Sequence, residues 1–500
     1  MSDLSRLEAL LDEEPLARTI AALEATLPLG VRPRQLPVRS FLLGALLTQQ
    51  QARPAHLVRA HQALCALGPE EKWRLGVLAN WKGVPHLLTY RQVEYLAGLL
   101  DAALKKSQPD GVASPLCQDL VDALIGASVP TIYKRASCAL ALDWTDVESF
   151  AHPPGKDGIS ADPEAAWGHR RGGGPGEKSE LFFGHYCNLA TMVPEDHGPE
   201  IPELVRQMTL SACDHDPVPV ATSALVDRFA RGTLVPGDVA VDSGYAHRVP
   251  DHFALPLRAA GASLVMDLHP QDRGPQGTFS GAILANGNLF CPATPQALFE
   301  IGPLARGATD AEIAAHDERC AELSRYKLGP ISADDKDGYH RVSCPAVARK
   351  LRCPLRPASM GLSYIHPTVL EPPEHPPVCC CQQSLTVPPH VNQKTRQKHD
   401  YPGRAWRSSY ARRSAVERSN SRIKDPATVD VAKGWCRLMG LIGPSLFLAM
   451  ALAVRNLDLV DAFEERQAEN ERRRRAGLGP RTRRRRRTTL AELTTANAPP

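Results

Sequence analysis

Five hundred residues with 43% apolar side chains can fill more than one core, so a large domain with attachments, or two to three domains, is expected. Aromatics make up only 5%, against 36 glycines and 44 prolines, which points to many loops. The net charge of +4 hides a segregated basic end: Arg472 to Arg487 holds ten arginines and no acid, and without them the balance is −6 (4 − 10). Such a block is expected to meet nucleic acid through its phosphates.

Met1 to Pro15 is acidic and lacks the apolar core of a secretion leader, so a cytoplasmic, nucleoid-associated location is expected. The apolar run Leu438 to Val454 is short for a membrane span and is interrupted by Gly440, Gly443 and Pro444. It reads as a buried core helix. Thirteen cysteines without a leader fit reduced thiols better than a disulfide framework, with metal binding open to a subset.

In chain order, residues 1–130 form a helical region, expected from apolar positions such as Leu4, Leu7, Leu10 and Leu11. A role in DNA binding is open to it. Residues 131–269 read as alternating elements. Short apolar runs give strands at Cys138–Val147, Leu181–Val193, Arg206–Cys213, Val239–Val241 and Ala262–Leu268, and the loop Pro153–Glu177 is rich in Pro and Gly. A helix is expected over Pro217–Phe229, capped by Asp216, with another helical piece near His252–Ala260. Residues 270–402 break the pattern with Pro, Gly and Cys and read as an insertion with one helix near Asp310–Tyr326. Helical texture returns over 403–460, at Trp406–Ile423 and Val431–Leu459, and residues 461–500 form a basic tail expected to be disordered beyond Gly477. The fold class is therefore α/β. The order strand, strand, strand, helix, strand, helix, strand resembles a ribonuclease-H-like core, with a helical N-terminal region and a Cys/Pro-rich insertion before the last catalytic helix.

The sharpest signal is Tyr410, Arg413, Glu417 and Lys424, spaced by 3, 4 and 7 residues. On one helix these offsets share an arc of about 60°. Arg404 to Lys424 holds seven basic residues and one acid, Glu417. A lone carboxylate among cations can hold a metal while its neighbours hold phosphates, or it can simply pair with Arg413. The spacing Tyr, two residues, Arg, three residues, Glu, six residues, Lys resembles the signature of the DDE-type bacterial insertion-sequence transposases. That resemblance implies two upstream aspartates on the sheet. Asp242, in Asp238-Val-Ala-Val-Asp-Ser-Gly-Tyr245, is similar to the second motif, although an Asp before Ser-Gly also suits a turn. Asp143, in Leu140-Ala-Leu-Asp-Trp-Thr-Asp146, is similar to the first, with Asp146 as its rival. The resemblance spans roughly 138–456; Trp144 and the polar stretch Val416–Arg422 depart from it.

The resemblance implies that Asp143, Asp242 and Glu417 are catalytic and bind Mg²⁺ or Mn²⁺, and that Tyr410, Arg413 and Lys424 meet DNA phosphates. The activity implied is cutting and joining of DNA at insertion-element ends by metal-dependent transesterification. The partners expected are double-stranded DNA, at element ends and target, and a second copy of the chain, with no membrane. Two other classes compete: a ribonuclease-H-like nuclease without strand transfer, and a non-catalytic nucleic-acid-binding protein. Weaker candidates for phosphate contact are His247 with Arg248, and His169-Arg170-Arg171; Gly172 to Gly174 lacks the Gly-Lys-Ser/Thr of a phosphate loop. Finally, a structural Zn²⁺ in the insertion is a candidate, with ligands Cys344, Cys353 and two of Cys291, Cys379 and Cys380. The absence of a Cys-x-x-Cys pair leaves ordinary buried thiols as an even alternative.

Overall fold

The computed structural model describes residues 3–28, 34–155, 158–170, 179–305, 307–336 and 338–480. Its centre is a mixed sheet of six strands. In chain order these are β1 (Leu140–Glu148), β2 (Ala166–Arg170), β3 (Glu180–Met192), β4 (Val205–Ala212), β5 (Asp238–Val241) and β6 (Ser263–Met266). β3 lies antiparallel to β1 along its length. The other edge of β3 is shared, with β2 on its first part and β4 on its second, both antiparallel. β5 is parallel to β1, and β6 parallel to β5. The first half of the sheet is thus antiparallel and the second half parallel. Helix α1 (Pro217–Ala230) makes the crossover from β4 to β5, and α2 (Ala254–Ala259) the one from β5 to β6. As expected, the Asp216 side chain caps α1, accepting from the Val218 N–H at 3.1 Å.

Strand periodicity explains why the sheet is covered on both faces. Leu140 and Leu142, Val239 and Val241, and Leu264 and Met266 point into a core with Val218, Leu225 and Phe253. The alternate residues Ala139, Ala141, Ala240 and Val265 point to the other face, into a core that runs on through the N-terminal helices. Those helices include Val38–Gln50, Tyr90–Leu104 and Pro115–Ala127, with a small hairpin at 78–87 that the sequence reading lacked. Helix α5 (Ile442–Arg475) lies in the same core, every residue from Ile442 to Val454 being buried. The apolar run Leu438–Val454 is therefore a core helix from Ile442 on. Among the described residues no helix is long and apolar enough to cross a membrane. Asn456 ties α5 to the sheet edge: its amide donates to the Val205 carbonyl at 2.8 Å and to Ser128 Oγ at 2.9 Å, and its oxygen accepts from the Val205 N–H at 2.9 Å.

Several sequence expectations need correction. Residues 431–441 are turns rather than helix, with Gly434 and Gly440 at φ of +89° and +81°. The expected helix over 406–423 is two helices, α3 (Arg404–Tyr410) and α4 (Ser414–Ile423), joined by a 3₁₀ turn at Ala411–Arg413. The loop 153–177 contains β2, which pairs with the start of β3. The insertion has its helix at Asp310–Tyr326, capped by Thr309 and Glu312, but it also has two three-stranded antiparallel sheets. It carries its own buried clusters and rejoins the core alongside β6, where the Lys398 N–H donates to the Leu264 carbonyl at 2.9 Å. Residues 171–178, which include Arg171 and Gly172 to Gly174, lie outside the described residues, as does the tail from Arg481.

Candidate active site

The sheet register brings the two predicted aspartates together. Leu140 pairs with Val239 and Ala141 with Ala240, so continuing the two strands by two positions sets Asp143 beside Asp242. Parallel neighbours lie about 4.8 Å apart. The pairing of Val241 with Met266 likewise sets Asp242 beside Asp267. Three aspartates therefore stand level on three adjacent parallel strands, Asp143 within β1 and Asp242 and Asp267 just past the carboxyl ends of β5 and β6. By strand alternation they follow Ala141, Ala240 and Val265, on the face covered by α4 and α5.

Local interactions hold each one. Asp143 Oδ1 accepts from the Trp144 N–H at 3.0 Å, and Oδ2 accepts from the Asn420 amide at 3.1 Å, with Arg413 Nη1 at 3.9 Å. Burial, then the charge of Asp242, push the Asp143 carboxyl up to about 7, with Arg413 offsetting part of the rise. Asp242 caps the short turn that follows β5, accepting from the N–H groups of Gly244 at 2.9 Å and Tyr245 at 3.4 Å. Its turn-capping and candidate catalytic roles thus use the same geometry. A Cβ at Gly244 would come within 2.6 Å of Trp144 Cη2, so only glycine fits there without displacement. Trp144, one of the departures from the family pattern, packs 4.9 Å from the ring of buried Tyr245, whose hydroxyl donates to Asn188 Oδ1 at 2.8 Å. It supports the Asp242 turn.

The last acid comes from the helices after the insertion. Trp406 Nε1 donates to the Met266 carbonyl at 2.9 Å, which docks α3 on β6. Arg412 fixes the 3₁₀ turn through Asp238 at 2.8 Å and the Pro194 carbonyl at 2.8 Å. Thr191 Oγ1 donates to Ser419 Oγ at 3.0 Å, which seats α4 on β3. So placed, Tyr410 stacks on Trp406 at 4.8 Å, and the Arg413 guanidinium lies 5.7 Å from the Tyr410 ring and ion-pairs with Glu417. Burial disfavours the charge of Arg413, but Tyr410, Glu417, Asp143 and Asp242 together outweigh it and raise its affinity for the proton. All three predicted acids thus act on one guanidinium. They do not form a ready ligand set in this conformation. Among the described residues, the one group of three His, Cys, Asp or Glu side chains with ligand atoms mutually within 4.8 Å is His247, His269 and Asp272. There the Lys394 ammonium already sits 2.7 Å from Asp272 and 3.5 Å from His247 Nδ1.

The remaining predicted residues are placed as follows. Lys424 ends α4 and ion-pairs with Asp146 at 2.5 Å. Asp146 also binds Arg170 at 2.7 Å, which makes it a member of a charged network beside the site. Arg248 pairs with Asp216 at 2.9 Å. Cys291, Cys344, Cys353, Cys379 and Cys380 come from four segments of the insertion, are all buried and lie close enough to influence one another's ionisation. Burial pushes the Cys291 thiol up to about 12, while backbone N–H groups of Ala293 and Leu355 donate to the sulfurs of Cys291 and Cys353. No three of these sulfurs lie within 4.8 Å of one another.

Sequence reasoning missed Asp267 and Asn420. Asp267 ends an apolar run as Asp143 and Asp242 do, a signal that was available; it accepts from Tyr401 Oη at 3.1 Å and pairs with Arg273 at 3.3 Å. Asn420 lies one helical turn beyond Glu417. No protein-family model matches the chain, and neither a curated protein nor a solved structure is significantly similar to it.

Proposed function

We propose that this chain is a DDE-type transposase that cuts and joins DNA phosphodiesters, with Asp143, Asp242 and Glu417 as its catalytic carboxylates. The observation that carries the proposal is the level placement of Asp143 and Asp242 on adjacent parallel strands, with Glu417 on the helix that covers the same face. Apart from the edge strand β2, three antiparallel strands, a helix, a parallel strand, a helix and a parallel strand, in the order β4-β3-β1-β5-β6, support the ribonuclease-H-like reading of the core.

The donor set suits Mg²⁺ or Mn²⁺, because it is made of oxygens. The raised proton affinity of Asp143 comes first from burial and then from the charge of Asp242, with Arg413 offsetting only part of it, and a divalent cation would offset the rest. Asp143, Asp242 and Glu417 would hold it, and when bound it activates water and offsets charge on the phosphate. The protein's own groups do the rest. Arg413 is the internal counter-ion of the acids, and its planar fork suits a phosphate equally well. A DNA phosphate that took over Arg413 would release Glu417 toward the two aspartates. Tyr410, held rigid by Trp406, sets the position of that guanidinium. Lys424 and the arginines around it would carry flanking phosphates.

The test is Glu417→Gln, assayed on DNA carrying the element's flanking inverted repeats with Mg²⁺. We expect cleavage to 3′-hydroxyl ends to be lost while DNA binding is retained, since Gln keeps the shape but is a poorer ligand. Unchanged cutting would overturn the metal role of Glu417. Cutting by the unmodified protein with no joining to a target would favour a nuclease.

A further inference from the structure

Helix α4 presents one more group to the aspartates. Arg413, Glu417, Asn420 and Lys424 follow one another at intervals of 4, 3 and 4, so they form one ridge. Three members of that ridge reach acids of β1: Arg413 and Asn420 touch Asp143, and Lys424 touches Asp146. Arg413 and Lys424 are cations beside carboxylates and need no further explanation. Asn420 is neutral, and it makes the shorter contact with Asp143.

The Asn420 amide donates through Nδ2 to Asp143, the direction required once a bound cation holds that carboxylate ionised and so an acceptor only. That orients the other end of the side chain. Asn420 Oδ1 is buried and has no hydrogen-bond partner among the described residues. An orphaned buried oxygen has lost its water without replacement, so it calls for a partner. Ionised acids cannot serve, because their oxygens are acceptors too. A cation, or a water held by one, can.

We infer that Asn420 is a positioning residue of the site: its amide orients Asp143, and its Oδ1 is a further oxygen donor to the shell of the divalent cation held by the carboxylates. This rests on the reading of Asp143, Asp242 and Glu417 as metal ligands. The seat of α4 on β3, through Thr191 and Ser419, fixes the residue next to Asn420 in sequence and so holds it in register with Asp143. Oxygen donors suit Mg²⁺ and Mn²⁺, and an amide oxygen adds a ligand without adding a charge to a site that already holds three acids.

The experiment measures Mn²⁺ binding to the full-length protein without DNA, by loss of the free-ion signal in electron paramagnetic resonance. Asn420→Leu removes both the donor and the oxygen and should weaken Mn²⁺ binding about tenfold. Asn420→Asp restores an oxygen at the same place and should bring affinity back to the wild-type level or above. A role in packing alone predicts the opposite order, because a second aspartate beside Asp143 would disturb the fold more than leucine. Wild-type affinity in Asn420→Leu, or failure of Asn420→Asp to rescue it, overturns the proposal. Should Asn420→Leu fail to fold, Asn420→Asp against Asn420→Ala gives the same comparison. Asp143→Asn and Asp242→Asn separate the two levels of argument. If both bind Mn²⁺ like the wild type, the metal reading of the site is what fails. If both lose it while Asn420→Leu does not, only the role of Asn420 fails.

Discussion

The crowding of Asp143 and Asp242 has a consequence for stability that needs no DNA to test. The Asp143 carboxyl is pushed up to about 7 from an ordinary 3.8, first by burial and then by the charge of Asp242. A shift of roughly 3 units at about 1.4 kcal/mol each sets an upper bound of about 4 kcal/mol on the cost of ionising it in the folded chain. Its side chain is 19% exposed, so water screens part of this, and about 2 kcal/mol is expected. The sign follows from proton counting. Between about pH 4 and 7 the folded chain keeps a proton that the unfolded chain has released, so stability falls as pH rises through that window. Asp143→Asn removes this slope. The variant also loses one of the two hydrogen bonds that Asp143 accepts, from Trp144 and Asn420, at about 1 kcal/mol independent of pH. The variant should therefore be less stable than the wild type by about 1 kcal/mol near pH 4 and more stable by about 1 kcal/mol at pH 8. With an unfolding entropy near 2.1 cal/mol/K per residue, each kcal/mol moves the midpoint of a chain this long by roughly 1 °C. Differential scanning calorimetry with EDTA across that pH range should show the crossover, and Mg²⁺ at pH 8 should raise the wild-type midpoint more than that of the variant. A difference between the two proteins that does not change with pH would refute the argument that burial and the charge of Asp242 raise the proton affinity of Asp143.

Deleting residues 476–500 removes six of the ten arginines between Arg472 and Arg487 and should flatten the salt dependence of DNA binding without abolishing cleavage; an identical slope after deletion would refute a phosphate role for the tail. No three of the insertion's buried sulfurs lie within 4.8 Å of one another in this conformation, and we further propose that a structural zinc draws Cys291, Cys344, Cys353 and Cys380 together. The supporting features are four buried thiols from separate loops and backbone N–H groups aimed at two of the sulfurs, and Cys380 is the more acidic of the Cys379–Cys380 pair because Cys379 donates to it. Metal analysis of the purified protein should find one zinc per chain, lost in Cys353→Ser; a zinc-free, fully folded protein would leave the insertion held by packing alone.

Much of the core was legible in local pattern. Apolar runs ending in an acid marked β1 and β5, and Asp216 before Pro217 marked the start of α1, because strand burial and helix capping are set by residues close in sequence. The cluster Tyr410, Arg413, Glu417 was legible as spacing, and it survives a break at residues 411–413 because a 3₁₀ turn rotates the chain only slightly relative to an α-turn. The strands of the insertion were not legible: pieces such as Gly329–Pro330 and Leu385–Val387 are too short to show a period. The register that levels Asp143, Asp242 and Asp267 depends on pairing between segments about 100 and 25 positions apart, and that pairing is chosen by which faces the two cores can bury. The same long-range packing decides that Glu417 turns to Arg413, that Lys424 meets Asp146, and that Asn420, unremarkable in the sequence, faces the first aspartate. Local residue order sets which groups a segment carries, whereas contacts between distant segments set which of those groups share a site.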